Sequence, residues 1–402
     1  MSDIDRIKVN GTPDDFKKIK NKILSLFVPS DETNADKEKT RFGNILNNVL
    51  VVPAGMETLK ALAEKTPPFK ICFESLKENA WGVCKGNEIA ISPNLPDNLL
   101  APTLVHEATH AALQDFSDDM EIFGVSAFTA ASIFKQNRVK EADACAKAAL
   151  FVHQCQKNKR TEPIYIASMN NGERTYLAFD AAMKRGASER EALRESFLEW
   201  AKRPSSVRFY DKGYEEYIVN AAQNEEACGR RGAFSMNLSD GDVMKICTHK
   251  GEPYIEEEDL HDPYFRGIEV ARRNKIQSAL DNYAEHTGSK RDASLLTMAP
   301  VSSYEDRLKH DAEAQQRREE ARKRAAAARI NQETGNVLNN AFSHSSADRP
   351  KRKFSEHSYV DMTGMNFSNR PSLMETLCQI NQQRSHTAPS SIDRRTPKDR
   401  GR

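Results

Sequence analysis

Residues Leu104 to Leu113 read Leu-Val-His-Glu-Ala-Thr-His-Ala-Ala-Leu, and no other stretch of the chain restricts its folding so strongly. His106 and His110 are four residues apart, which on an α-helix is one turn plus about 40°. Both imidazoles can then reach a single ion from one face. Glu107, about 100° round the axis, is left free to act on a water beside that ion. Leu104, Val105, Ala108, Ala111, Ala112 and Leu113 make the helix apolar nearly all round, and such a helix is buried. Two imidazoles and a carboxylate inside a protein need partners, and Zn²⁺ supplies one.

A third ligand must come from elsewhere. An extended pattern with Gly at 113 and His at 116 would supply it locally and mark a metzincin, but those positions hold Leu113 and Phe116. The spacing predicts a later helix from about Val139 to Gln156, on which Glu141, Ala144, Cys145, Ala148 and Val152 share one side. Glu141 therefore lies on the face that the small residues bury. Asp143, about 200° away and near Lys140 and Lys147, is expected to be solvated. The expected metal ligands are His106, His110 and Glu141, with Glu107 as general base.

Around these two helices the order is legible in part. Thr12-Pro13-Asp14 starts a helix whose stripe is Phe16, Ile19, Ile23, Leu24 and Phe27, and polar residues 29–40 read as a linker. Three short strands are expected at Lys70–Phe73, Trp81–Val83 and Glu88–Ile91, the last two joined by the turn Lys85-Gly86-Asn87. Either of the last two could be an edge strand along a cleft. Pro93 and Pro96 precede the motif helix, expected to start near Pro102. Beyond an acidic stretch from Asp115 to Glu121, a separate helix is expected from Ile122 to Lys135. A helix over Thr175–Lys184, a break at Gly186 and a capping box of Ser188 with Glu191 follow. Tyr210, Tyr214 and Tyr217 fall near the end of the expected compact region, Tyr210 being the candidate donor to a developing oxyanion. His249 and His261 have no ligand partner at close spacing and read as surface residues.

These expectations divide the chain into an N-terminal helix and linker (1–40), a mainly helical α+β domain with a small antiparallel or mixed sheet (41–220), a helical extension (221–300), a charged solvent-exposed helix (301–332) and a disordered basic tail (333–402). From Asp348 onward there are 11 Lys and Arg against 6 Asp and Glu. Such a run is usually a solvated tail; at most it touches nucleic acid weakly or, at Lys351-Arg352-Lys353, resembles a nuclear-type signal.

Composition narrows the setting. A net charge of +1 over 402 residues gives no global attraction to nucleic acid or anionic membrane. No run of 18 apolar residues exists and Met1 to Gly11 lacks a hydrophobic segment, so neither a membrane span nor a secretory signal is expected, and the cytoplasm is the expected location. The seven cysteines are scattered with no C-x-x-C pair, which predicts free thiols.

Thr103-Leu-Val-His106-Glu107-Ala-Thr-His110-Ala111, then Glu141-Ala142-Asp143-Ala144, then Ala178-Phe179-Asp180 through Trp200 to Tyr210-Asp211 resemble a family of uncharacterised bacterial metallopeptidase domains of the zincin, gluzincin-like type. The similarity covers about Asn44 to Tyr217. It implies that His106, His110 and Glu141 hold Zn²⁺, that Glu107 is the base, and that the substrate is a protein or peptide. One departure stands out: thermolysin-like gluzincins place a carboxylate four residues after the glutamate ligand, and here that position is Cys145. Two alternatives to a zinc peptidase are an inactive zinc-binding interaction protein and a secreted effector, because the basic C-terminus resembles export signals of type IV secretion.

Overall fold

Helix α1 (Pro13–Leu26) begins with the Thr12–Asp15 capping box and turns Ile23 and Leu26 into the core. The computed structural model describes residues 12–76, 80–113, 121–122, 125–158 and 173–307, with positions 309, 312, 313 and 316 beyond them. These all lie in the compact unit Met1–Glu320. The expected acidic loop at 115–120, nearly all of the charged helix beyond Arg307, and the basic tail lie outside the described residues.

Helix α2 (Ala35–Leu50) occupies part of the expected linker. Its first turns are polar because they face solvent, and Asp36 and Glu38 there suit the positive end of the helix dipole. The later turns bury Phe42, Ile45, Leu46, Val49 and Leu50. Helix α3 (Pro53–Ala63) leads into a mixed sheet of β1 (Lys70–Phe73), β2 (Gly82–Lys85) and β3 (Glu88–Ile91). The order is β1-β3-β2, with β1 parallel and β2 antiparallel to β3. Gly86, at φ +54°, makes the turn between β2 and β3, a conformation that costs other residues a Cβ clash. Of the two strands considered for an edge, β3 is central. Strand β2 is the edge, and it starts one residue later than expected.

The motif helix α4 spans Asp97–Ala112, so it starts five residues before Pro102, which sits inside it. Pro96 is the N-cap residue, and Pro102, six residues into the helix, leaves the carbonyl of Asn98 without its intrahelical N–H partner. Next comes α5 (Ala130–Lys157), 28 residues long and about 42 Å in length. Two helices were expected here, from Ile122 to Lys135 and from Val139 onward. Residues 136–138, which fall between those two expected helices, are instead internal to one. Gln136 and Arg138 are each 1% exposed, and Arg138 is paired with a buried acid from another helix.

Helices α6 (Glu173–Lys184) and α7 (Glu189–Ala201) form the expected pair, with Gly186 at φ +87° and the Ser188–Glu191 capping box in place. Tyr210, Tyr214 and Tyr217 are in the middle of the 24-residue α8 (Pro204–Ala227) rather than at the end of the packed structure. Ordered chain continues through α9 (Val270–Thr287), which ends in a left-handed Gly288, and a short parallel pair, Gly267–Glu269 with Ala299–Val301. His261 is exposed as expected. His249 is not: its side chain is 10% exposed and lies 3.2 Å from Glu189.

Two apolar clusters organise these elements. One takes in Ile23, Phe42, Leu104, Phe151, Trp200 and Tyr254; the other takes in Phe134, Ile218, Ile276 and Tyr283. Helix α5 runs through both, which is why so few of its residues reach water. No described helix is long and apolar enough to cross a membrane.

Candidate metal centre

Helix α4 supplies both histidines because only a buried helix holds two imidazoles one turn apart without solvating them. His106 and His110 keep 18% and 16% of their side-chain surface, and their Nε2 atoms converge to 3.1 Å. Glu141, projecting from α5, completes a triangle, with Oε2 at 3.6 Å from His106 Nε2 and Oε1 at 3.5 Å from His110 Nε2. Two ligands of a tetrahedral zinc with bonds near 2.05 Å stand about 3.4 Å apart. The histidine pair is close to that value, each Glu141 oxygen stands about that far from one of the two rings, and one ligand atom from each of the three residues lies within 4.8 Å of the others, as a shared ion requires. Glu141 Oε2 is also buried without a hydrogen-bond partner, an arrangement that costs stability unless something cationic fills the gap. The residues present therefore fit a divalent, nitrogen-tolerant ion such as zinc.

The electrostatics point the same way. Burial alone would raise the Glu141 carboxyl, but His110 and His106 outweigh it and hold the group well below the usual carboxylate range. Glu107 moves oppositely: burial raises its pKa, and the adjacent histidines only partly offset that. It is 7% exposed and accepts the backbone N–H of Cys84 from strand β2. A carboxylate made more basic by its surroundings is suited to take a proton near neutral pH.

Gly82 makes this approach possible. A Cβ there would stand 2.7 Å from Glu107 Cγ, 2.8 Å from its Oε1 and 2.9 Å from Thr103 Cγ2, so β2 can lie against α4 only with glycine at this position. Ser92 N–H donates to Trp81 O across the β2–β3 ladder. In an antiparallel pair the bonding direction alternates, so Val83 and Lys85 bond inward and the main-chain groups of Gly82 and Cys84 face the outer edge. Among the described residues no strand pairs with that edge.

Two tyrosines of α8 face the same region. Burial raises Tyr210 well above its usual pKa, followed by the negative field of Glu141, and Tyr214 is raised by the same two causes in the same order. The Tyr214 hydroxyl is buried with no hydrogen-bond partner. Tyr214 thus joins Tyr210 as a donor that could serve a developing negative charge. Asp143 corrects an expectation: it is fully buried, accepting from Tyr254 Oη at 2.7 Å and lying 2.9 Å from Lys147 Nζ. Lys147 is a neighbour as expected, but the pair lies on a face of α5 where Asp143 itself has no access to water.

The sequence singles out neither Gly82 nor a contact of Cys145, whereas Tyr214 is among the tyrosines it offers as a donor, with Tyr210 preferred. The spacing of Tyr210 and Tyr214, four apart on a helix, was a usable sign; a lone Gly before Val83 was not. A separate cavity of about 490 Å³, lined in part by Lys135, Asp240, Arg266 and Asp292, contains none of His106, His110 or Glu141.

The family model described as "Putative metallopeptidase family (DUF6782)" matches residues 20–248, more than half of the chain. That span reaches further in both directions than the similarity read from Asn44 to Tyr217. No curated protein and no solved structure matches.

Proposed function

Because the chain belongs to this putative metallopeptidase family, we propose that it is a zinc-dependent peptidase of gluzincin type. The observation that carries the proposal is the triangle of His106, His110 and Glu141, with separations of 3.1, 3.5 and 3.6 Å beside a buried, basic Glu107. When bound, the ion polarises the scissile carbonyl and makes a water nucleophilic near neutral pH. His106, His110 and Glu141 hold the ion on helices fixed by core packing. Glu107 accepts the proton of the attacking water and returns it to the leaving amine, so the same carboxylate serves as base and then as acid. Tyr210 or Tyr214 donates to the oxygen on which negative charge develops. With the Cys84 N–H bonded to Glu107, the Gly82 main-chain groups and the Cys84 carbonyl remain on the outer edge of β2 to pair with an extended substrate backbone, which selects a protein or peptide over a compact metabolite.

The test uses purified full-length protein. Wild type should carry about one equivalent of zinc, and both His106→Ala and Glu141→Ala should lose it. Glu107→Gln should keep zinc and lose cleavage of a peptide library or denatured protein by about 10²- to 10⁴-fold. Zinc retention in both ligand variants would remove the site, and wild-type cleavage by Glu107→Gln would remove the mechanism.

A further inference from the structure

We infer that Cys145 is the positioning residue of the first histidine: its thiol sulfur accepts the Nδ1–H of His106 and sets how tightly the centre holds its ion. This rests on the zinc site proposed above. In the triangle, His106 Nε2 is the nitrogen turned toward His110 and Glu141. A neutral imidazole that ligates through Nε2 carries its proton on Nδ1. Cys145 Sγ lies 3.9 Å from that Nδ1, within reach of a long N–H···S bond. Cys145 is 4% exposed and unpaired with any other cysteine, so it is available to the ring and not to solvent.

The helix makes the contact systematic. Cys145 follows Glu141 by four residues on α5, so the two side chains stand one above the other on one face. Glu141 meets Nε2 while Cys145 meets Nδ1 of the same ring. One helix face thereby clamps His106 from both sides and fixes its tautomer. Partners of this kind orient ligands, and removing them typically costs about 10- to 100-fold in metal affinity.

The choice of a thiol has a chemical consequence. Sulfur is a weak, neutral acceptor, whereas a carboxylate at this position would add a negative charge and a strong charge-assisted bond. The centre then balances its dication with one carboxylate rather than two. Its hold on zinc is accordingly weaker than the same scaffold can provide, and the ion can be exchanged.

The experiment measures zinc affinity of the full chain by competition with a chromogenic chelator. Cys145→Ala should bind zinc about 10- to 100-fold more weakly than wild type, and Cys145→Asp should bind it more tightly than wild type. Cys155→Ala, which removes an equally buried thiol further along α5, should leave the affinity unchanged. Equal losses in Cys145→Ala and Cys155→Ala, or no loss in either, overturn the inference. Should the Cys145 variants fail to fold, nitrogen-15 NMR of zinc-loaded wild type decides. A His106 Nδ1 proton that exchanges slowly and couples to the Cys145 side chain supports the inference, and an Nδ1 proton that exchanges as fast as that of a solvent-exposed imidazole overturns it, whereas a proton on Nε2 overturns the zinc reading itself. A wild type that takes up no zinc overturns instead the reading on which this rests.

Discussion

Replacing Gly82 with alanine tests the site through an added methyl whose nearest neighbours are Glu107 and Thr103 rather than any proposed metal ligand. The added Cβ would lie 2.7 Å from Glu107 Cγ, whereas carbon atoms rest about 3.5–4.0 Å apart. Relief therefore needs a displacement of roughly 0.8 Å or more. Strand β2 resists, because its partner β3 buries Ile89, Ala90 and Ile91. The Glu107 side chain, held at its tip by the Cys84 N–H, yields instead. Misplacing a catalytic group by about 1 Å costs on the order of 10²-fold in rate, or about 2.7 kcal/mol in the barrier. Overpacking should cost a further ~1–3 kcal/mol of stability. His106, His110 and Glu141 are not in the path of the new methyl, so zinc content should stay near one equivalent. Gly82→Ala is then expected to be folded, zinc-loaded and about a hundredfold slower in kcat, measured by peptide cleavage alongside metal analysis and thermal unfolding. Wild-type kcat in a folded Gly82→Ala would show that Glu107 is not held against β2, and with it the reasoning about its basicity would fall.

Three further outcomes follow from other parts of the structure. Gly86→Ala meets no atom within 4 Å but sits at φ +54°, so it should lose about 1–2 kcal/mol in urea unfolding with zinc content and cleavage unchanged; a drop in cleavage would tie the turn to the site. Asp211→Ala leaves the Arg138 guanidinium 1% exposed without its carboxylate and should cost about 3–5 kcal/mol, so a loss below 1 kcal/mol in denaturant titration would contradict the pairing. Hydrogen bonds from His249 and Lys250, against the opposing effect of burial, hold the Glu189 carboxyl at about 2, below its ordinary value of 4.5. A depressed carboxyl stabilises the fold above its unfolded pKa and loses that contribution as pH falls through its folded value. The advantage of wild type over Glu189→Gln should therefore be full above pH 4.5 and vanish towards pH 2. Because the side chain is 30% exposed, solvent screening limits it to about 1 kcal/mol. An advantage independent of pH over that interval would exclude the ionic origin.

The parts of this protein that sequence discloses are those set by local chemistry. The His106–His110 spacing, the Ser188–Glu191 cap, the Lys85-Gly86-Asn87 turn and the three strands all depend on neighbours a few residues away. Glu141 was legible because alanines and a cysteine flank it at helical spacing. Two departures share a cause. Lys140 and Lys147 near Asp143 suggest a solvated acid, and residues 136–138 fall between two expected helices, but both readings hold only if α5 has a wet face. At Arg138 and Asp143 it has none, since α4, α7 and α8 cover it and its charges are paired with Asp211, Tyr254 and Lys147. Gly82 was illegible for a different reason: its role is a close approach between a strand and a helix, and nothing in the spacing of either records which residue of one will meet the other.

The burial of α5 bears on how a three-ligand centre can be built without local constraint. Glu141 is 31 residues past His110 in the chain and on a different helix, so its position comes from the packing of α5 against α4 rather than from the local geometry of the motif. A helix seated only by apolar contacts can slide or rotate by small amounts at little cost, and a metal site tolerates only about 0.2 Å. Arg138 and Asp143 remove that freedom. Arg138 donates to Asp211 on α8 and to Phe265 O, while Asp143 accepts from Tyr254, so pairs on two other faces of α5 are satisfied at one rotation and one register. Any slip would leave a buried charge unmet, at several kcal/mol. Glu141 lies between these two residues, within one turn of both. The buried pairs are therefore poor candidates for net stabilisation and good ones for specificity. By the same reasoning, Asp211→Ala should loosen zinc binding as well as the fold, although Asp211 touches none of the proposed ligands.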